Sequence, residues 1–350
     1  MLWKICFFGG RIKALLAVIL AGGLGTRLRS VTGDLPKPMA PIAGKPVLAH
    51  ILELLRRCGV REACVTLRYR PECIRDYFGT GERFGVRLTY HEEPFPLGTA
   101  GAVRACRDFY GERDFLVIPG DCACDADLGA LMEAHRRHRP AATIAVHACP
   151  EPMEYGTVLA DRSGRIVSFI EKPAWRRVVS DMVNTGIYVL SPAAMELVPE
   201  GREFDFARDL FPTLLRAGET LRALPLGGYW RDIGSPRSYY QCCLDALGGV
   251  WRLPGAADSP PPPAPEPADA PHYAVRERCA CLSRARMMRA LSETLMEAGA
   301  DFSDGLTLRS SRGSVHIAPE SDREALDIEA DTPELAAEFS GLVRALEDKS

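Results

Sequence analysis

The most constraining feature of this 350-residue sequence is an apolar run that ends in a glycine-rich loop. Residues 15–21 read Leu-Leu-Ala-Val-Ile-Leu-Ala, and Gly22-Gly23-Leu24-Gly25-Thr26-Arg27-Leu28 follows directly. An uninterrupted apolar run is typical of a parallel strand that is buried on both faces. The glycines leave backbone N–H groups open to close approach, and the Arg27 guanidinium suits bidentate contact with phosphate. The loop matches neither G-x-G-x-x-G nor the P-loop pattern, so by itself it indicates only phosphate binding.

Strands and helices alternate after this loop, which predicts an α/β fold with a doubly wound, mostly parallel, Rossmann-like sheet. Ligands bind such sheets at the carboxyl ends of the strands. The loop at Gly22 and Asp121 each follow a predicted strand, so both are expected at the same edge. The predicted elements after the loop are the helix Val47–Cys58, the strand Glu62–Leu67, the helix Pro71–Phe78, the strand Arg87–His91, the helix Ala100–Cys106 and the strand Asp114–Pro119.

Composition divides the chain into four parts. Residues 1–14 are predicted to be an N-terminal extension, and residues 15–250 form the large domain. Residues 251–274 contain the run Pro260–Pro263 and are predicted to be an extended linker, because proline cannot continue a helix or a central strand. Residues 275–350 show a helical pattern over Arg284–Ala298 and short alternating segments, which predict a small α+β domain.

Composition also excludes several function classes. The net charge of −3 provides no basic field for nucleic acid, and no segment approaches the roughly 20 apolar residues of a membrane span. The twelve cysteines include no C-x-x-C pair, so the sequence does not support a zinc ribbon or a thioredoxin-like site. Reduced thiols in a cytoplasmic protein are expected.

Short motifs follow the glycine-rich loop in a fixed order. They are Leu35-Pro36-Lys37-Pro38-Met39, Pro96-Leu97-Gly98-Thr99-Ala100-Gly101, Gly120-Asp121, Tyr155-Gly156, Glu171-Lys172-Pro173, Asn184-Thr185-Gly186 and Gly228-Tyr229-Trp230-Arg231-Asp232-Ile233-Gly234. Together they resemble the sugar-1-phosphate nucleotidyltransferases. The resemblance implies attack of a sugar-1-phosphate oxygen on the α-phosphorus of an NTP, with loss of pyrophosphate. Because the nucleophile is already an anion, no general base is needed, but two repelling anions must be held together.

The resemblance assigns roles to individual residues. Asp121 and Asp232 match Mg²⁺ ligands, and Mg²⁺ takes one or two carboxylates together with phosphate oxygens. Arg27 and Lys37 are expected to contact the nucleotide phosphates and complete the set of catalytic candidates. Taken singly, either cation could be a surface residue, and Asp121 could be a turn or cap residue. The nucleotide-binding candidates are Leu20, Ala21, Gly22, Gly23, Gly25, Thr26, Arg27, Leu97 and Gly98, and the sugar-phosphate candidates are Gly156, Glu171, Lys172 and Asn184.

Other stretches narrow the substrate pair. Met39–Pro46, Asp76–Gly81 and Phe204–Pro212 look closest to the guanylyltransferase branch, which favours GTP and mannose-1-phosphate. Glucose-1-phosphate with dTTP or UTP is an alternative, since base choice depends on a few loop contacts. A regulatory protein that binds a nucleotide-sugar without turnover is a second alternative. Homo-oligomerisation is possible.

The tail resembles the last domain of phosphohexomutases in the stretches Arg286–Leu291, Asp304–Leu308 and Gly313–Ala330. The phosphate loop of that domain reads Arg-Pro-Ser-Gly-Thr-Glu-Pro. In this chain Ala318 replaces the arginine, and Glu320 and Asp322 would repel a phosphate. We therefore expect the tail to be non-catalytic and to serve assembly or stability.

Overall fold

The computed structural model describes residues 15–253, 279–280, 284–296, 300–302, 306–310, 313–319, 325–330 and 333–347. The predicted extension 1–14, residues 254–274 of the predicted linker, and Glu320 and Asp322 lie outside the described residues.

The strands are β1 (Leu15–Leu20), β2 (Pro41–Ile42), β3 (Lys45–Pro46), β4 (Val60–Leu67), β5 (Arg87–Glu92), β6 (Phe115–Pro119), β7 (Cys122–Cys124), β8 (Ala142–Ala148), β9 (Gly156–Ala160), β10 (Ile166–Glu171), β11 (Met182–Leu190), β12 (Leu221–Pro225), β13 (Trp230–Asp232), β14 (Cys279–Ala280), β15 (Leu306–Ser310), β16 (Gly313–Pro319) and β17 (Ala325–Ala330). The helices are α1 (Arg29–Thr32), α2 (Val47–Arg57), α3 (Pro71–Phe78), α4 (Gly98–Arg104), α5 (Arg107–Tyr110), α6 (Leu128–His138), α7 (Phe211–Arg216), α8 (Pro236–Leu247), α9 (Arg284–Leu295) and α10 (Pro333–Glu347). Over the described residues, none of these helices is long and apolar enough to cross a membrane.

Nine of the strands between Leu15 and Pro225 form one sheet. Its main path has the order β10-β9-β11-β6-β1-β4-β5, with β8 beside β11 and β12 beside β8. The neighbours β5, β4, β1 and β6 are parallel, and the antiparallel pairs gather beyond β6. The predicted α/β fold around a large sheet is confirmed. The six elements predicted after the glycine-rich loop agree with the structure to within two residues at each end.

Strand β1 is buried on both faces, as its apolar run predicts. Leu16, Ala17, Val18 and Ile19 have 0% exposed surface. Ala17 and Ile19 belong to one hydrophobic core and Leu16 and Val18 to another. Successive side chains of a strand point to opposite faces, so each core receives every second residue.

Strands β1 and β6 are neighbours, although β4 and β5 lie between them in the sequence. The chain passes from β1 to β4 and β5 on one side and then continues at β6 on the other side. Leu20 lies beside Pro119, and the N–H of Gly120 donates to the C=O of Leu20 at 2.8 Å. Such a reversal of strand order opens a crevice at the carboxyl ends of the strands. The glycine-rich loop and Asp121 both leave the sheet there, so their predicted common edge is confirmed.

The described residues from 279 onward form a small α+β unit, as the sequence pattern predicts. Strands β14, β17, β16 and β15 form an antiparallel sheet in that order. Helices α9 and α10 share its hydrophobic core, in which Met288, Leu291 and Val343 are fully buried. Ala318 lies in β16 opposite Asp327. The likeness of this unit to a phosphohexomutase domain stays a prediction.

The packed core of the large domain extends beyond residue 250, where composition predicts that this domain ends. Trp251 is only 1% exposed and belongs to a core that also contains Leu28 and Ile233. Its ring stacks on Tyr229 with centroids 5.7 Å apart and meets His50 edge-on at 5.1 Å. The core around Trp251 therefore supports both the glycine-rich loop, which ends at Leu28, and the segment after β13.

We expect Trp251→Ala to lower the free energy of unfolding by about 3–5 kcal/mol, because it empties a buried aromatic site. Urea unfolding followed by far-ultraviolet circular dichroism measures this change. Leu247→Ala is the control, since Leu247 is 82% exposed and surface changes usually stay within about 0.5 kcal/mol. If both variants unfolded like the wild type, Trp251 would not be part of the packed core.

Candidate active site

The crevice between β1 and β6 opens into a cavity of about 730 Å³. This volume is in the range of small-molecule binding sites. Residues predicted for the nucleotide and residues predicted for the sugar phosphate line this same cavity. Those in its wall are Leu20, Gly22, Gly23, Gly98, Asp121, Glu171 and Lys172.

Two glycines of the loop allow charged side chains to come close. A Cβ atom at Gly22 would stand 2.2 Å from Oε1 of Glu93. One at Gly25, whose φ is +60°, would stand 2.7 Å from Cγ of Lys37. A larger residue at either position would displace the neighbouring side chain, and at Gly25 it would also strain the backbone. Gly23 has no such neighbour within 4 Å and leaves its backbone open.

The loop is anchored at both ends. Ala21 is buried, and its N–H donates to the C=O of Thr66 at 3.1 Å. At the other end, Thr26, Arg27 and Leu28 form a 3₁₀ turn. Leu28 is fully buried, whereas Thr26 and Arg27 are exposed. The anchors hold the loop while the Arg27 side chain stays at the surface of the site.

Lys37 reaches Asp121 from a rigid turn. It begins the 3₁₀ turn Lys37–Met39, directly after Pro36 and before the buried Pro38. Its Nζ lies 3.2 Å from Oδ2 of Asp121, and the two side chains are only 16% and 23% exposed. The lysine is therefore positioned beside the carboxylate and is not a free surface cation.

Asp232 lies next to Asp121 because β13 pairs with β7. Asp232 is opposite Cys122, the residue that follows Asp121. Burial, and then the charge of Asp121, raise the pKa of Asp232 to about 6, while Lys37 and Arg27 act in the opposite direction. The four catalytic candidates thus form one electrostatic cluster. Near it, a Cβ atom at Gly234 would stand 2.5 Å from Oδ2 of Asp232 and 3.2 Å from an Arg27 guanidinium nitrogen.

The sugar-side candidates differ in how directly they face the cavity. Glu171 and Lys172 line it, and burial raises the pKa of Glu171 while Lys172 opposes this shift. Lys172 has a φ of +46°, which is uncommon for a residue with a side chain. Gly156 is buried behind Glu171, and a Cβ atom there would stand 2.7 Å from Oε2 of that residue.

Asn184 does not line the cavity, and its predicted contact with the sugar phosphate stays a prediction. Its Nδ2 donates to the Tyr188 hydroxyl at 2.9 Å, and its Oδ1 accepts from the N–H of Gly186 at 3.0 Å. Tyr188 and Gly186 do line the cavity. Asn184 therefore supports the wall through both ends of its amide.

Sequence reasoning missed several residues of the cavity wall, above all Glu93 and Asp205. Glu93 is 9% exposed, and its Oε2 accepts from the N–H of Leu97 at 3.4 Å. Leu97 is itself buried behind the wall. Asp205 accepts from the N–H and the hydroxyl of Thr99, each at 3.0 Å. Glu93 precedes the Pro96–Gly101 motif by three positions, which is a usable signal. Asp205 lies in Phe204–Pro212, which the sequence connected only with substrate choice.

The donor set fits Mg²⁺. Asp121 and Asp232 supply hard carboxylate oxygens, and burial together with the charge of Asp121 raises the pKa of Asp232, a shift that a bound cation would oppose. Within the described residues, no three His, Cys, Asp or Glu side chains gather as a ligand cluster. Two carboxylates are sufficient for Mg²⁺ when substrate phosphates complete the coordination.

Comparison with known proteins gives a consistent result. The family described as nucleotidyl transferase matches residues 16–247. A UTP–glucose-1-phosphate uridylyltransferase of Synechocystis is 38% identical over 66% of this chain and 63% of its own. A mannose-1-phosphate guanylyltransferase of Mycobacterium tuberculosis is 34% identical over 67% of this chain and 65% of its own. The chain therefore spans less than two thirds of the length of these relatives.

Among solved structures, HddC from Yersinia pseudotuberculosis, determined also in complex with GMP-PN, superposes with a TM-score of 0.58 at 31% identity. The superposition covers 66% of this chain and 99% of HddC. A putative glucose-1-phosphate thymidylyltransferase from Bacillus anthracis has a TM-score of 0.61 at 26% identity, covering 67% of this chain and 95% of its own. Both matches cover nearly the whole of the solved chain but only part of this one.

In metal-free protein we expect the Asp232 carboxyl to titrate near its raised pKa of about 6. Asp121→Asn removes a negative neighbour and should lower this pKa, and Lys37→Met removes a positive neighbour and should raise it. Carbon-13 NMR of the aspartate carboxyls measures both shifts. Titration of wild-type Asp232 near pH 4, the ordinary aspartate range, would contradict the clustering of these charges.

The same shift has a consequence for stability. Because the folded-state pKa of Asp232 lies above its unfolded value, the folded protein binds an extra proton between about pH 4 and pH 6. The corresponding stabilisation is present below about pH 4 and is lost as the pH rises through about 6.

Proposed function

This chain belongs to the nucleotidyl transferase family, and from that premise we propose that it transfers a nucleotidyl group from an NTP to a sugar-1-phosphate. One P–O bond forms between the sugar phosphate oxygen and the α-phosphorus, and one P–O bond to the departing pyrophosphate breaks. The observation that carries the proposal is that one cavity is lined both by Asp121 of the charged cluster and by Lys172. Such a cavity suits two anionic substrates that must meet.

The positively charged residues of the site have two proposed roles. Arg27 and Lys37 offset the negative charge that develops as pyrophosphate departs, since guanidinium and ammonium groups stabilise phosphate oxygens. Lys172, which also lines the cavity, holds the sugar phosphate and so brings the nucleophile against the α-phosphorus. No residue has to remove a proton, because the attacking oxygen is already ionised.

Mg²⁺ is the proposed cofactor, held by Asp121 and Asp232. When bound, it would supply charge neutralisation for the phosphate oxygens. Lys37 Nζ lies 3.2 Å from Oδ2 of Asp121 and offsets part of the carboxylate charge at this position. Activity is therefore expected to require both aspartates and a divalent cation.

GTP is the proposed nucleotide because Glu93 offers only hydrogen-bond acceptors when ionised. Its carboxylate lies between the glycine-rich loop, beside Gly22, and the Leu97 backbone at the start of α4. Guanine presents two adjacent donors, N1–H and the N2 amino group, which match the two carboxylate oxygens. Uracil and thymine present one N–H between two carbonyl oxygens, which a carboxylate would repel. Mannose-1-phosphate is the proposed acceptor, supported by the guanylyltransferases among the relatives.

The reaction is tested by incubating the protein with each NTP and each of mannose- and glucose-1-phosphate and measuring pyrophosphate. We expect release with GTP and mannose-1-phosphate in the presence of Mg²⁺, and loss of activity with a chelator or in Asp121→Asn. Pyrophosphate release with glucose-1-phosphate in place of mannose-1-phosphate would change the proposed acceptor but not the proposed reaction. If no pair of NTP and sugar-1-phosphate gave pyrophosphate, the proposed enzymatic activity would be rejected. Binding of GDP-mannose without turnover would favour a regulatory protein.

The role of Glu93 gives a separate prediction. Glu93→Gln replaces one acceptor by a donor, so kcat/KM for GTP should fall by about 10- to 100-fold, the loss typical of one mispaired buried hydrogen bond. The ratio of UTP to GTP turnover should rise at the same time. Glu92→Gln is the matched control, because Glu92 is exposed and pairs with Arg75 at 3.0 Å. An unchanged ratio in Glu93→Gln would remove Glu93 from base selection.

A further inference from the structure

The connection between β10 and β11 is unusual because its second half is buried. It runs from Lys172, which lines the cavity, to Asp181, three positions before Asn184. Val178, Val179, Ser180 and Asp181 are between 0% and 4% exposed. Connections normally run over the surface, where water satisfies their backbone groups. The described C-terminal unit covers this one.

Helix α9 contacts the buried half at two positions. The hydroxyl of Ser292, a fully buried residue, donates to the C=O of Val179 at 3.1 Å. Nε of Arg289 lies 2.8 Å from Oδ1 of Asp181, whose side chain is 5% exposed. This oxygen makes no well-aligned hydrogen bond, so the contact is an ion pair. Burial raises the pKa of Asp181 and Arg289 opposes this shift.

The first half of the connection also touches the C-terminal unit. Trp175 begins the 3₁₀ turn Trp175–Arg177, three positions after Lys172. The Arg284 guanidinium carbon lies 3.9 Å from the centre of the Trp175 ring, a cation–π contact. Strand β16 lies against the same turn. The C-terminal unit therefore holds the connection near both of its ends.

The backbone at Lys172 explains why such support matters. Its φ of +46° is costly for a residue with a side chain, and such conformations persist where the surroundings impose them. Its N–H donates to the C=O of Tyr155 at 3.0 Å, which fixes the β10 side. On the other side the chain is fixed by the contacts of Trp175 and Asp181 with the tail.

We propose that the C-terminal unit positions the sugar-phosphate side of the active site, with Arg289 as a positioning residue that acts on Lys172 through the connection 172–181. The inference rests on the proposed function for the role of Lys172. It gives the tail a task that needs no phosphate loop of its own. The nucleotide side is anchored on β1 and β6 and does not depend on these contacts.

Kinetics test the proposal in the full-length protein. Arg289→Met should raise the KM for the sugar-1-phosphate by about 3- to 30-fold, the range of couplings between distant positions, and change the KM for the NTP less than about twofold. Arg289→Lys keeps the positive charge beside Asp181 and should restore most of the loss. Arg344→Met is the matched control, because Arg344 is an exposed residue of α10. An equal rise in both KM values, or no rise, would overturn the proposal.

Limited trypsin digestion gives a readout that does not depend on turnover. Arg176 and Arg177 are exposed within the connection, and loosening it should speed cleavage there in Arg289→Met. Cleavage at the exposed Arg136 and Arg137 of α6 should not change, which separates local opening from general instability. Unchanged cleavage at residues 176–177 would reject the tail as the support. If the wild type releases no pyrophosphate, the proposed function fails while digestion still decides this point.

Discussion

Two carboxylates held side by side, Asp121 and Asp232, are the constraint around which the site is arranged. Burial, and then the charge of Asp121, raise the pKa of Asp232 to about 6. Lys37, 3.2 Å from Asp121, and the nearby Arg27 offset part of this charge. The pairing of β13 with β7 and the core around Trp251 hold the carboxylates where they would otherwise separate. A site with this charge arrangement favours a divalent cation and anionic substrates together.

The residues that line the cavity are supported by different parts of the fold. The glycine-rich loop and Asp121 follow directly on β1 and β6, central strands whose side chains pack in two cores. Lys172 instead begins a connection that is covered by α9. The contacts of α9 with this connection use an ion pair and a hydrogen bond from a buried hydroxyl. Such support depends on complementary surfaces and does not require the C-terminal unit to bind a ligand of its own.

Sequence reasoning predicted much of the fold and part of the site. The apolar run of β1 and the bounds of the next elements follow from local periodicity, and they agree with the structure. The common edge of the glycine-rich loop and Asp121 follows from strand ends in a parallel sheet. Asp205 escaped prediction because its partner Thr99 is 106 positions away. Asn184 is predicted to bind the sugar phosphate, and the structure adds that its amide supports the cavity wall through Tyr188 and Gly186.

The sequence by itself determined the α/β class, the buried central strand and the glycine-rich loop that follows it, since these depend on hydrophobic periodicity and on glycine at particular positions. Only the tertiary structure decided which charges face one another, that Glu93 lies beside Gly22, and that Arg289 reaches Asp181. These contacts join residues that are distant along the chain. Coulomb energies and burial depend on distances in space, and no local pattern encodes such distances.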